Sequence, residues 1–246
     1  MADVIEGRNP VLEALRSGRA INKIIVARDS ARRSAMAELL DLARRAKVPV
    51  ERVDRRAVQR ISVTGHSQSV VALAAARPYD DLDGLIAESK RRGEPALYVL
   101  LDGIEDPHNL GAVLRTADAA GVHGVVLPAR RAAGLTAAVG RASAGAMEYV
   151  TVARVPNLVR AMEQLGREQV WTVGVDPAGG RDYTQVDYRQ PTAIIIGAEG
   201  KGLSRLVKDR CDLLASIPMK GRVASLNASV AAALVMYEAM RQRAAP

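Results

Sequence analysis

The chain has no phenylalanine, one tryptophan and six tyrosines, so it offers few aromatic side chains on which bases could stack. It has one cysteine, Cys211, which excludes an intrachain disulfide and suits a reducing cytoplasm. Its three histidines, His66, His108 and His123, are scattered and give no metal-ligand spacing, so no metal site is expected. No uninterrupted apolar run approaches the roughly 18 residues of a membrane span, and Met1 to Gly18 lacks a signal-peptide core. The expectation is a globular cytoplasmic protein with no membrane partner.

What is present is an α/β pattern with uneven charge. At 246 residues, 48% hydrophobic and 25% charged, the chain can fill one large domain or two modest ones. Residues 1–76 carry 14 Lys and Arg against 8 Asp and Glu, an excess of six out of the total of +8. The other 170 residues carry an excess of only two. A basic N-terminal third beside a nearly neutral remainder suggests that one part holds a polyanion. Solvated helix faces would produce the same excess, because net charge speaks to association and not to fold.

Apolar periodicity resolves residues 1–76 into a small α/β unit. Pro10 to Arg16 reads as a helix stopped by Gly18, Lys23 to Ala27 as a strand, and Ala31 to Ala46 as a helix with Met36, Leu39, Leu40 and Ala43 on one face. Pro49 to Val53 reads as a strand, Arg55 to Ile61 as a short helix, and Val70 to Ala75 as another strand. Residues 77–95 read as a linker carrying one helix, Leu82 to Lys90. From residue 96 the strands become continuously apolar: Leu97–Leu101, Val125–Leu127, Val170–Val173, Ala193–Ile196 and Leu213–Ala215. Such runs separated by helical segments imply a mostly parallel sheet buried on both faces. The last helix, Leu226 to Arg243, is apolar nearly all round until Glu238, so either the core or a second subunit must cover it.

Three loops rich in glycine, proline and small polar residues punctuate the C-terminal half. They are Asp-Pro-His-Asn-Leu-Gly-Ala-Val-Leu-Arg-Thr-Ala at 106–117, Ile-Ile-Ile-Gly-Ala-Glu-Gly-Lys-Gly-Leu-Ser at 194–204, and Ile-Pro-Met-Lys-Gly-Arg-Val-Ala-Ser-Leu-Asn-Ala-Ser-Val-Ala at 217–231. Loops at the ends of buried strands are where α/β proteins build sites. Familiar glycine signatures fail here. Residues 197–202 fit neither the dinucleotide fingerprint nor a P-loop. The Gly140 to Gly145 stretch is one residue too long for a nucleophile elbow, and Cys211 has no base beside it and reads as a small core residue. Asn109 with Arg115, Glu199, and Ser225 with Asn227 remain as polar loop candidates. Plain structural roles exist for each: Asn227 could cap the last helix, and Arg115 could pair with Asp118.

The order and spelling of the three loops resemble the three motifs of the SpoU (TrmH-type) RNA ribose 2′-O-methyltransferases, over about Leu100 to Arg243. The resemblance implies S-adenosylmethionine as cofactor and a SPOUT methyltransferase domain at 96–246 with a deep trefoil knot, a topology that chain-threading rules would not supply. It implies homodimers with a site near the subunit interface. Residues 1–76 look like the L30e-like substrate-binding domain found at the N-terminus of ribosomal RNA members. Carried over position by position, Asn109, Arg115, Glu199, Ser225 and Asn227 are expected to perform the chemistry. Gly174, Gly197, Ile217, Met219 and Leu226 are expected to hold the cofactor, largely through main-chain groups. Arg115 would bind the target phosphate, oriented by a bidentate pair with Glu199.

The opening Val4-Ile-Glu-Gly-Arg-Asn-Pro-Val11 and the tail Tyr237-Glu-Ala-Met-Arg-Gln-Arg243 favour members that methylate a guanosine in the peptidyl-transferase loop of 23S ribosomal RNA. One departure is visible: where the family's N-terminal domain usually reads His-Gln-Gly, this chain has Gly65-His66-Ser67-Gln68. The alternatives are a transfer RNA ribose methyltransferase, a resistance enzyme acting on a ribosomal adenosine, and a non-catalytic RNA-binding protein on the same scaffold.

Overall fold

The computed structural model describes residues 3–30 and 34–244, in two compact units. Of the described residues, those up to 78 form one unit with 134–149, and 79–133 form the other with 150–244.

The first unit is a four-stranded sheet in the order β1 (Asp3–Glu6), β4 (Val70–Ala74), β2 (Ile21–Ala27), β3 (Val50–Val53). β2 and β3 are parallel, and the other pairs antiparallel. Helices α1 (Arg8–Arg16) and α2 (Ser34–Arg45) bury Val11, Leu15, Met36 and Leu39 against Ile24 and Val26. The first three residues expected in α2, Ala31 to Arg33, lie outside the described residues. Helix α3 (Arg55–Ile61) puts Val58 in a second cluster with Ile25 and Val71. β1 has no counterpart in the periodicity, because four residues with one buried glutamate carry too little alternation.

Residues 134–149, inside the stretch read as methyltransferase domain, pack on this first unit. The cause is specific. Arg19 pairs with Glu148 at 2.7 Å and with Asp3 at 2.6 Å, and the Tyr149 hydroxyl donates to Glu13 at 2.6 Å.

The second unit is a seven-stranded sheet in the order β7 (Val152–Val155), β6 (Gly124–Pro128), β5 (Leu97–Asp102), β10 (Thr192–Gly197), β8 (Trp171–Val175), β11 (Leu213–Ser216), β9 (Arg181–Asp182). Every pairing in it is parallel. β5 is buried along its whole length and β10 along all but its last residue, as the unbroken apolar runs require. α4 (Leu82–Arg92) and α7 (Leu158–Arg167) pack on one core cluster through Leu85, Leu158 and Leu165. α5 (Pro107–Ala119) packs against α9 (Ala228–Ala244), and α9 also meets β10. β7 and β9 escape the sequence reading because Arg154 interrupts the first and the second is only two residues long.

Candidate active site

The site lies where the central parallel strands end. The loops after β5, β10, β8 and β11 all leave the carboxyl edge of the sheet, where the chain changes direction and α/β folds bind ligands. The loop after β10 is a tight turn. Ala198 and Gly202 exchange main-chain hydrogen bonds of 3.1 and 2.8 Å, and Gly200 and Gly202 both have positive φ.

Two recesses share this turn as a wall. The first is a cavity of about 330 Å³, within the range of small-molecule sites. Ile196, Ile217, Leu226 and Met219 give it apolar surface, and Asp176, Glu199 and Lys201 are its charged residues. Four of the five expected cofactor residues, Gly197, Ile217, Met219 and Leu226, line it, together with Ser225. Gly174 does not. Its Cα faces the core, where an added Cβ would sit 2.7 Å from Cys211 Sγ and 2.8 Å from Leu203 and Leu214. It is glycine because side chains pack on it.

Gly197 is constrained in a similar way. A Cβ there would lie 2.1 Å from the carbonyl carbon of Gly202 and 2.3 Å from the Leu203 nitrogen. The glycine lets the turn fold back on its own strand, so its want of a side chain serves the protein's backbone. Cys211 donates to the Val207 carbonyl at 3.2 Å, and burial with three nearby carboxylates pushes its thiol up to about 12. It is a core residue, as expected.

The second recess, about 450 Å³, is a polar cleft bounded by Asp102, Asp106, Asn109, Arg131, Glu199 and Lys201. Asn109, Glu199 and Asn227 meet in one hydrogen-bonded cluster. Asn227 Nδ2 donates to Asn109 Oδ1 at 2.9 Å and to Glu199 Oε2 at 3.1 Å. A carboxylate can only accept, so the amide nitrogen of Asn227 must face it. The other end of that amide caps α9: Oδ1 accepts from the Ser229 nitrogen at 2.9 Å and hydroxyl at 2.6 Å. Asn227 thus both caps α9 and joins the cluster with Asn109 and Glu199.

Arg115 is placed differently from expectation. It is exposed on α5, lines neither recess and makes no ion pair with Glu199, whose carboxylate accepts from Asn227 instead. The bidentate Arg115–Glu199 pair is therefore absent from the chain. His108 only shapes the turn: its main-chain nitrogen donates to Asp106 Oδ1 at 3.0 Å, starting α5.

Two buried carboxylates escaped the sequence reading. Asp102 Oδ2 accepts from the Ser204 nitrogen at 2.7 Å, tying the end of β5 to the far side of the β10 turn. Asp176 Oδ1 accepts from Lys208 Nζ at 2.8 Å and from the Ala178 nitrogen at 2.9 Å. The available signal was an acidic residue directly ending an apolar strand. Among the described residues no group of three or more His, Cys, Asp or Glu could hold a metal, and no helix is long and apolar enough to cross a membrane.

An apolar cavity and a polar cleft thus share the turn after β10 as a wall. Comparison with known proteins gives the class. The chain belongs to the SpoU rRNA methylase family, whose model matches residues 96–237, and it is an RNA methyltransferase. Residues 4–80 match the model described as RNA 2′-O ribose methyltransferase substrate binding. A Bacillus subtilis protein named as a TrmH family tRNA/rRNA methyltransferase is 44% identical, covering 98% of this chain and 96% of the relative. The SpoU methyltransferase AviRb from Streptomyces viridochromogenes, solved with its cofactor AdoMet, superposes with a TM-score of 0.82 at 30% identity, over 98% of this chain and 90% of that one. The AdoMet-bound rRNA methyltransferase from Sinorhizobium meliloti gives 0.76 at 28% identity, over 98% and 87%.

Proposed function

We propose that this chain methylates the 2′-hydroxyl of an RNA ribose using S-adenosylmethionine, and that its target is a guanosine in the peptidyl-transferase loop of 23S ribosomal RNA. The observation that carries this reading is the Asn109–Asn227–Glu199 cluster on the wall between the apolar cavity and the polar cleft. The cavity suits the cofactor: Ile196, Ile217 and Leu226 offer apolar walls for adenine, and Glu199 offers negative charge to a cationic sulfur, Asp176 being paired with Lys208. When bound, S-adenosylmethionine supplies a methyl group on positively charged sulfur, which passes to the ribose oxygen.

The residues of the chain do the positioning, which in such reactions is worth roughly 7–11 kcal/mol. Asn227, whose amide also donates to Asn109, fixes the Glu199 carboxylate, and Ser225 adds a hydroxyl to the cavity wall. Arg115 holds the phosphate of the target, which receives the hydroxyl proton. An arginine cannot itself be the base, since it stays protonated below about pH 12.

We further propose a homodimer formed through α9. Val230, Leu234 and Tyr237 recur at helical spacing and are 47%, 37% and 46% exposed, beside Ala112 and Thr116 of α5. Arg115 lies between Ala112 and Thr116 on that helix, so dimerisation would carry it to the interface. Residues 1–76 would select the RNA, the methyltransferase domain would close its cofactor pocket by the trefoil knot, and the lone, half-buried cysteine suits a cytoplasmic setting.

The test is methyl transfer from labelled S-adenosylmethionine to 23S ribosomal RNA and, separately, to bulk transfer RNA, with the modified nucleotide mapped. Arg115→Ala should lower transfer at least a hundredfold while cofactor affinity stays within about twofold, and lysine should restore little, since it lacks the planar fork. Near-normal transfer by Arg115→Ala would remove its role, and methylation of transfer RNA alone would remove the ribosomal target.

A further inference from the structure

The cleft beside Asn109 and Glu199 carries more negative than positive side chains. Asp102, Glu105, Asp106 and Glu199 line it against Arg131 and Lys201. Asp102 and Asp106 are engaged by the main-chain nitrogens of Ser204 and His108, and Glu199 by Asn227. An arginine in such surroundings would ordinarily pair with a carboxylate. Arg131 does not: it is exposed and makes no hydrogen bond or ion pair with any described residue.

Its backbone adds a second, independent observation. Arg131 has φ of +56°, a conformation that costs an L-residue energy and that glycine would adopt freely. Of the six described non-glycine residues with positive φ, Lys47, Ala144 and Gln169 follow the ends of helices, where a left-handed residue commonly closes a helix, and Gln68, Ser69 and Arg131 lie in loops beside strands. Arg131 follows a strand, so helix capping does not account for it. The loop is held rigidly on both sides. The Ala129 nitrogen donates to Val155 at 2.8 Å, Arg154 Nη2 donates to the Ala129 carbonyl at 2.8 Å, and the Ala133 nitrogen donates to Ile104 at 2.8 Å. A strained residue in an anchored loop, presenting an unpaired guanidinium to a cleft, is the arrangement found at ligand clamps.

We infer that Arg131 seats a phosphate of the acceptor nucleotide in this cleft, setting the ribose beside Asn109 and Glu199; the inference rests on the RNA-methylation reading above. The guanidinium fork suits two phosphate oxygens. Without it an RNA strand would meet mainly carboxylates. Arg131 and Arg115 then act at separate places, the first within the cleft and the second on the exposed side of α5.

The experiment uses the full chain, in vitro transcribed 23S ribosomal RNA, bulk transfer RNA and labelled S-adenosylmethionine. Arg131→Gly removes the cation and relieves the left-handed strain together. It should melt no lower than the parent, bind S-adenosylmethionine with unchanged affinity, and raise the KM for RNA about tenfold to a hundredfold, the usual worth of a charge-assisted contact. The kcat at saturating RNA should fall much less. Arg131→Lys should recover part of the loss, and Arg130→Ala, one residue away and outside the cleft, should leave KM unchanged. A parent protein that methylates neither RNA would overturn the underlying reading. An active parent matched in KM by Arg131→Gly, or an equal loss in Arg130→Ala, would overturn the role of Arg131 alone.

Discussion

The two units hold their irregular loops by opposite means. In the second unit the turn after β10 is fixed by backbone packed on backbone, with Gly197 against Gly202 and Leu203. In the first unit the loop after α3 is fixed by one buried charge. Glu6 is fully buried at the end of β1, and its carboxylate accepts from the Thr64 nitrogen at 3.1 Å, the Ser62 hydroxyl at 3.0 Å, and the Val63 nitrogen and Thr64 hydroxyl. A turn made by close approach tolerates no added atom but is indifferent to pH. A loop made by a buried carboxylate tolerates small shape changes but depends on ionisation. The contrast can be broken from either side.

The largest effect is expected at Gly197. A glycine that merely held the cofactor through its main chain would let Gly197→Val fold normally and only fail to bind. The position of Gly202 reverses that: any Cβ must displace main chain, and valine adds two methyl groups more. Gly197→Val should lose more than about 3 kcal/mol of stability and cofactor binding with it, seen together in thermal melts and calorimetry. A variant that melts like the parent would show the turn to be softer than its contacts imply.

The comparison also explains what was legible in the sequence. Glycine loops ending apolar strands stand out, because both the strand and its punctuation are compositional. The loops at 106–117, 194–204 and 217–231 were therefore visible, and Asn109, Glu199 and Asn227 from them share one hydrogen-bonded cluster. What glycine was for could not be read, since Gly174 answers to Cys211, far along the chain, and Gly197 answers to Gly202 only because the turn folds back on its strand. Arg131 was invisible for another reason. Ala-Arg-Arg-Ala-Ala is composed of good helix formers, and nothing in it signals a left-handed arginine. Glu6 likewise reads as a polar residue near the N-terminus, and only the four-stranded sheet brings residues 62–64 over it.

The next effect is at Glu6 itself. Burial tends to raise its pKa, but the hydrogen bonds from Thr64, Val63 and Ser62 together outweigh that and hold the carboxyl below its ordinary value. A group lowered in the folded state stabilises fully above its unfolded pKa, about 4.3, and loses that contribution as pH falls through the folded value. Glu6→Gln should cost about 2 kcal/mol at pH 7, since its neutral amide is a weaker acceptor. Its stability should vary less than the parent's between pH 5 and the acid limit (roughly pH 3). Parallel melting curves for parent and variant over that range would mean the loop is held by something other than the charge.

The smallest stability change, and the one that joins packing to chemistry, is at Asn227. Its amide is divided between the two tasks: Oδ1 caps α9 through Ser229, and Nδ2 reaches Asn109 and Glu199. Asn227→Ala removes both, whereas Asn227→Asp keeps the capping oxygen and places a second carboxylate beside Glu199. Alanine should cost about 1 kcal/mol, the usual worth of a cap, and aspartate clearly less. Methyl transfer should respond in the opposite order of sympathy: aspartate should depress it at least as much as alanine, because like charges meet where a donor stood. Melting and transfer rates measured on the two variants separate the roles. If activity follows stability across both, Asn227 is a helix cap and the cluster with Glu199 contributes nothing to the reaction.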